Sequence, residues 1–245
     1  MINQEGEIKI PKNSYTVHYT MNILQIKIKK THEVIIDASK KFPQKKIVVA
    51  WTGGKDSTVL LHIIRTLYDN TIPFPVMFND STIEFPEIYT FIKKITKEWN
   101  INLIVVPHAK TDLLKFNRCT TEPEKMKLSR IMKIHAMNAF IKKFKPVAFM
   151  SGIRWDEHES RSKEQYFSQR KDHIRIHPLL HFTEKDIWEY IHTLHVPYVS
   201  LYDQGYRSLG EQPFTKKAKI GEGERSGREQ SKEIVMEKLR QMGYW

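Results

Sequence analysis

Cysteine is almost missing from this sequence, which has Cys119 alone in 245 residues. A single thiol makes no disulfide within the chain and cannot build a cysteine-held metal or iron–sulfur site. Long apolar runs are missing as well. No stretch approaches the roughly 18–20 uninterrupted apolar residues of a bilayer span, and the first residues carry charge where a secretory leader needs an apolar core. These absences predict a cytoplasmic protein with no membrane partner. There is no internal repeat. Acidic residues are outnumbered, 28 Asp and Glu against 40 Lys and Arg, for a formal net charge of +12. That excess concentrates polyanions near the surface, nucleic acid among them, without selecting one.

What is present reads as a globular α/β chain. Hydrophobic residues make up 40% and charged residues 28%, enough to bury one sizeable core. Short apolar or β-branched runs at 47–51 (IVVAW), 75–78 (PVMF), 103–106 (LIVV), 147–150 (VAFM) and 174–176 (IRI) are predicted strands. Helical spacing fills the intervals at 58–67, 86–99, 125–144 and 183–194. Another helix is predicted at 31–42, ended by Pro43. Thr183, with Asp186 three residues on, resembles a capping box. Strands alternating with helices predict a parallel five-stranded sheet covered on both faces, with ligands outside the carboxyl ends of its strands. The chain divides into an N-terminal extension (1–30), the α/β domain (31–200) and a C-terminal tail (201–245). In that tail, 205–224 reads as a basic loop and 225–242 as a closing helix.

The first strand runs straight into Thr52-Gly53-Gly54-Lys55-Asp56-Ser57. Paired glycines allow a tight turn and close approach of backbone to phosphate, hydroxyls add donors, and the following helix offers unpaired N–H groups and its dipole. The loop is neither G-x-x-x-x-G-K-[ST], which wraps a transferred γ-phosphate, nor the dinucleotide turn G-x-G-x-x-G. It resembles the pyrophosphatase loop of the adenine nucleotide α-hydrolases, which open ATP between its α- and β-phosphates.

Further motifs follow in order: Phe78-Asn79-Asp80-Ser81-Thr82, Gly152-Ile153-Arg154-Trp155-Asp156-Glu157 with Ser160-Arg161, and 201–210 (LYDQGYRSLG). Together they resemble the phosphoadenosine phosphosulfate reductase family over about 47–215. The Gly152 motif and the ending Glu224-Arg225-Ser226-Gly227-Arg228 are most similar to the small subunit of the two-component sulfate adenylyltransferase. The reductases that this chain resembles use a cysteine nucleophile, and many hold an iron–sulfur cluster. Here Glu211 and its neighbours stand where one cluster pair would fall and Leu128-Ser129 where the other would. Those side chains replace neither thiolate, so the resemblance implies no iron–sulfur cluster and no reduction.

What the resemblance does imply is adenylyl transfer: an anionic acceptor attacks the α-phosphorus of ATP and pyrophosphate leaves. Thr52, Gly53, Gly54, Asp56, Ser57, Asp80 and Gly152 are the expected nucleotide contacts, with Asp80 an expected Mg²⁺ ligand. Lys55, Arg154, Arg161 and Lys133 are the expected catalytic cations, the two arginines suited to a bidentate sulfate or phosphate. Sulfate is the first acceptor by resemblance; a nucleic-acid phosphate activated for sulfur insertion, or flavin mononucleotide, are alternatives, as is a nucleotide-binding module without turnover. A GTPase subunit or a sulfur-transfer protein would be a separate partner. Cys119 stays open between a sulfur carrier and an ordinary half-buried thiol. His173, His177 and His181 are four residues apart, a spacing that aligns metal ligands only on a helix, and Pro178 and the strand reading argue against one.

Overall fold

The computed structural model describes residues 22–218 and 221–228. Its centre is β1 (Ile47–Ala50), whose Ile47 and Val49 face one side of the sheet and Val48 the other. All three are buried, as a central strand with helices on both faces requires. β1 is followed by α2 (Lys55–Leu67), β2 (Val76–Asp80), α3 (Pro86–Glu98), β3 (Leu103–Pro107), α4 (Lys110–Arg118), α5 (Glu122–Phe144) and β4 (Ala148–Met150). Then come β5 (Phe167–Gln169), β6 (Ile174–Ile176) and α6 (Glu184–Thr193), while α1 (Ile23–Lys41) precedes the sheet.

The sheet order is β3-β2-β1-β4-β6-β5. All five predicted strands are present and parallel where they pair. The expectation of five strands is corrected by a sixth, β5, which runs antiparallel to β6 at the edge. Phe167-Ser168-Gln169 holds one apolar residue beside two polar ones, so β5 shows no apolar run to register as a strand in sequence. The two faces are unequal. The larger core gathers α1, α2, α3 and α6 side chains over one face; on the other, Ala136, Met137 and Phe140 of α5 pack against Val48, Met77 and Phe149.

Caps explain several boundaries. Asn22 and Gln25 form a capping box, so α1 begins at Ile23 and residues 23–30, expected in the N-terminal extension, continue this helix. Residues 1–21 of that extension lie outside the described residues. Thr121 and Glu124 cap α5 three residues earlier than its apolar spacing predicts, and α4 was missed altogether. The Thr183–Asp186 box opens α6 as expected. Of the helix predicted over 225–242, residues 225–228 form a turn and the remainder lies outside the described residues. Among the described residues no helix is long and apolar enough to cross a membrane.

Chain order reverses between β1 and β4: from β1 it runs outward through β2 to β3, and from β4 the other way through β6. A crevice opens at such a switch point because the loops leaving the two neighbouring strands diverge.

Candidate active site

That crevice is a cavity of about 300 Å³, at the small end of the range of ligand sites. Thr52, Gly54, Asp56 and Ser57 from the loop after β1 line it, as do Phe78 and Asn79 from β2 and Ser151, Gly152 and Ile153 from beyond β4. The loop is shaped by its own hydroxyls. Ser57 Oγ donates to the Gly54 carbonyl at 3.0 Å, Thr52 Oγ1 accepts from Gly54 N–H at 3.3 Å, and Thr58 Oγ1 donates to the Gly54 carbonyl at 2.9 Å. Gly53 has φ +76°, in the left-handed region where a side chain is strained. Gly152 matters for closeness: a Cβ there would lie 2.8 Å from the Asp56 carbonyl oxygen. The strand-four loop is thereby pressed onto the first turn of α2.

The expected cations separate into two groups. Lys55 and Arg154 are wholly buried and are not among the residues lining the cavity. The Arg154 guanidinium donates to Asp56 Oδ1 at 2.7 Å, Asp156 Oδ1 at 2.5 Å and Glu224 Oε2 at 2.5 Å. Lys55 Nζ donates to Glu224 Oε1, to Asp56 Oδ2 at 3.3 Å and to the Arg207 carbonyl at 3.0 Å. Burial opposes both charges, yet the carboxylates of Asp56 and Glu224 raise both pKa values. Burial likewise pushes the Asp56 carboxyl up, and Lys55 and Arg154 overcome it, holding the group below the usual carboxylate range. This network braces the loop from behind.

Arg161 and Lys133 do line the cavity. Arg161 pairs with Glu157, and Lys133 Nζ lies 3.1 Å from Glu211 Oε1. Glu211 also accepts from Ser129 Oγ at 2.6 Å, so Glu211 and Ser129, the positions where the resemblance leads one to expect cluster cysteines, are joined by a hydrogen bond. Asp80 is not part of the cavity wall; its Oδ1 accepts from Tyr89 Oη and Thr82 N–H, both at 2.8 Å.

One acidic group among the described residues brings three ligand oxygens within 4.8 Å of one another: Asp56, Glu157 and Glu224. Lys55, Arg154, Arg161 and Arg225 already pair with these carboxylates. A divalent ion would have to displace that positive charge, so the set does not fit a resident Mg²⁺. The three histidines part company. His177 Nδ1 meets Ser151 Oγ at 2.9 Å, His181 Nδ1 meets Tyr166 Oη at 3.1 Å, and the His173 ring packs edge-on against Phe149. Burial lowers the His177 pKa to about 4, so the ring is neutral at physiological pH.

Several wall residues were missed in sequence. Arg175 on β6 lines the cavity with its guanidinium 4.8 Å from the Phe149 ring centre. Burial, reinforced by Arg170, lowers its pKa to about 9. A charge inside a strand that a parallel sheet covers on both faces is a local conflict, and that conflict was the available signal. Tyr202 Oη accepts from the Lys55 N–H at 2.9 Å, and Glu224, Arg225 and Arg228 reach the site from the tail. Their motifs are visible in sequence, but only long-range packing shows that they meet at this site.

Residues 46–217 match the model of the phosphoadenosine phosphosulfate reductase domain. Sulfate adenylyltransferase subunit 2 of Buchnera aphidicola subsp. Acyrthosiphon pisum is 34% identical over 190 residues, a match covering 67% of this chain and 62% of that protein's length. Among solved structures, phosphoadenylyl-sulfate reductase from Candida auris superposes with TM-score 0.64 at 21% identity, covering 76% of this chain and 90% of that one. FMN adenylyltransferase from Candida glabrata gives TM-score 0.63 at 21% identity, covering 81% and 67%. At that identity the two structures speak for the fold alone.

Proposed function

This chain belongs to the phosphoadenosine phosphosulfate reductase domain family, and from that premise we propose that it is a cytoplasmic ATP α,β-cleaving adenylyltransferase with sulfate as acceptor. An acceptor oxygen forms a bond to the α-phosphorus, and the bridging oxygen leaves with its electron pair as pyrophosphate. One observation carries the reading: the switch-point cavity is lined by a glycine-rich loop and a helix start together with Lys133, Arg161 and Arg175. Backbone donors suit a polyphosphate, and cations in the same cavity offset the repulsion between an anionic acceptor and ATP. The relative named sulfate adenylyltransferase subunit 2 is 34% identical to this chain, which supports sulfate. That relative's name also supports a separate partner chain. Magnesium enters with the substrate, as MgATP.

Lys55 and Arg154 take a different role from the one first expected. They hold Asp56 and the loop in place, leaving the acceptor's anion to Arg161, Arg175 and Lys133. A second reading, in which a nucleic-acid phosphate is the acceptor, is favoured by the net charge of +12. Pyrophosphate release from MgATP, measured with sulfate, flavin mononucleotide and single-stranded DNA in turn and with pyrophosphatase draining the product, separates these. Release should depend on sulfate. If ATP binds and no acceptor stimulates release, the transferase reading fails.

A further inference from the structure

We propose that residues 221–228 are a latched wall of the nucleotide pocket, and that Glu224 is the positioning residue that holds this wall closed. The inference rests on reading the cavity as an ATP site. Glu224 divides its carboxylate between two buried cations, Oε1 on Lys55 and Oε2 on Arg154. Its side chain is only 8% exposed. Removing that carboxylate would leave Lys55 and Arg154 under-compensated in the interior, so the contact is costly to open. Neither cation lines the cavity, and neither does Glu224. The carboxylate therefore sits behind the phosphate loop and does not compete for the space in front of it.

What this anchor delivers is charge. The residues that follow, Arg225 and Arg228, do line the cavity. Arg225 reaches Glu157 Oε1 at 3.5 Å, and Arg228 donates to the Leu209 carbonyl and to Ser208 Oγ at 3.2 Å. Two contacts to backbone carbonyls register the segment independently of the latch. Gly227 accepts from Lys216 N–H at 2.8 Å and passes so close that a Cβ would lie 2.0 Å from the Lys216 carbonyl oxygen. Arg207 donates to the Glu222 carbonyl at 2.6 Å while pairing with Glu184 at the start of α6. An anchor in the loop's own lysine, a glycine fit and two guanidinium groups on the cavity wall together make the segment part of the site. The ligand class is the phosphate chain of ATP, whose negative charge the two arginines face.

The test uses the full chain and reads two quantities: ATP dissociation constant and hydrogen exchange at the Lys216 amide, which the Gly227 carbonyl protects. Glu224→Ala should speed exchange and weaken ATP by about tenfold or more, the worth of a charged hydrogen bond. Glu224→Gln, keeping shape and hydrogen bonding, should recover part of both. Gly227→Ala should reproduce the loss without changing any charge, which guards against a global effect of burying unpaired cations. Arg225→Ala should weaken ATP while leaving exchange at Lys216 as it was, and its cost should appear in KM for ATP more than in kcat. Faster exchange with unchanged ATP affinity would overturn the wall, unchanged exchange in Glu224→Ala would overturn the latch, and tighter ATP in that variant would show that Glu224 competes with phosphate. The exchange measurements stand without nucleotide, so a wild-type chain that fails to bind ATP refutes the functional reading and leaves the latch judged on its own.

Discussion

The two sides of the cavity are built by different means. On one side, residues 52–57 are consecutive, and backbone groups, hydroxyls and one left-handed glycine shape them within a single turn of chain. On the other, Lys133, Arg161, Arg175, Arg225 and Arg228 come from a helix, a short turn, a strand and the tail. Local backbone chemistry makes the first group, and in the second Lys133 and Arg225 are set by ion pairs to segments distant in sequence, Glu211 and Glu157. Asp56 joins the two, since it belongs to the loop and accepts from Arg154 beyond β4. The lesson is that a phosphate loop needs a brace as much as it needs glycines.

Removing the brace should have the largest effect. Arg154 is fully buried with three carboxylate partners, so Arg154→Ala leaves Asp56 and Glu224 to Lys55 alone and should lower stability by about 3 kcal/mol. Arg154→Lys should rescue only part, because an ammonium cannot span three directions as a guanidinium fork does. Urea denaturation of both variants checks this. A stability unchanged from wild type would return Arg154 to direct contact with the acceptor and erase the contrast between the two sides.

A smaller effect is expected at the joint itself. Gly152→Ala sets a Cβ 2.8 Å from the Asp56 carbonyl oxygen and 2.9 Å from its carbon, both backbone atoms that cannot swing aside. The loop must shift, and a displacement near 1 Å typically costs on the order of 100-fold in rate. Gly54→Ala meets only the Thr52 and Tyr202 hydroxyls, at 3.3 and 3.4 Å, and should cost far less. Acceptor-dependent pyrophosphate release per folded molecule ranks the two. The reverse order would mean that the paired glycines matter through Gly54 and that the contact across the sheet is incidental.

This division also explains what could be read from residues alone. The five parallel strands were legible because buried strands are apolar runs, and the loop was legible because its chemistry is contiguous. β5 and α4 were not: FSQ is no apolar run, and the placement of these elements depends on β6 and α5. Lys55 and Arg154 were expected as catalytic cations, but their surroundings were not legible: nothing in GGKDS says that its lysine turns inward to meet Glu224, 169 residues later. Asp80 is tied to Tyr89 in the same way, by a partner nine residues on that no motif announces. Glu224 was visible only as part of a resemblance. A sequence motif reports side chains that share a short segment, and an ion-pair network is closed by the fold.

The smallest effect should come from the lone thiol, and it bears on both sides of the cavity at once. Cys119 is half-buried at the carboxyl end of α4, where its N–H donates to the Phe116 carbonyl at 3.1 Å and its thiol to the Lys115 carbonyl at 3.4 Å. It is not among the residues lining the cavity. Serine preserves the donor with little change of shape, so Cys119→Ser should alter stability by less than about 0.5 kcal/mol and leave turnover as it was. On the proposed reading neither side of the cavity needs a covalent intermediate, since backbone groups of the loop and fixed charge on the wall would hold the substrates. A sulfur carrier would behave otherwise, because serine forms no persulfide and turnover would vanish in a normally folded variant. Melting temperature and acceptor-dependent pyrophosphate release, measured on the same preparation of Cys119→Ser, decide between them; lost turnover at an unchanged melting temperature would bring the thiol into the chemistry.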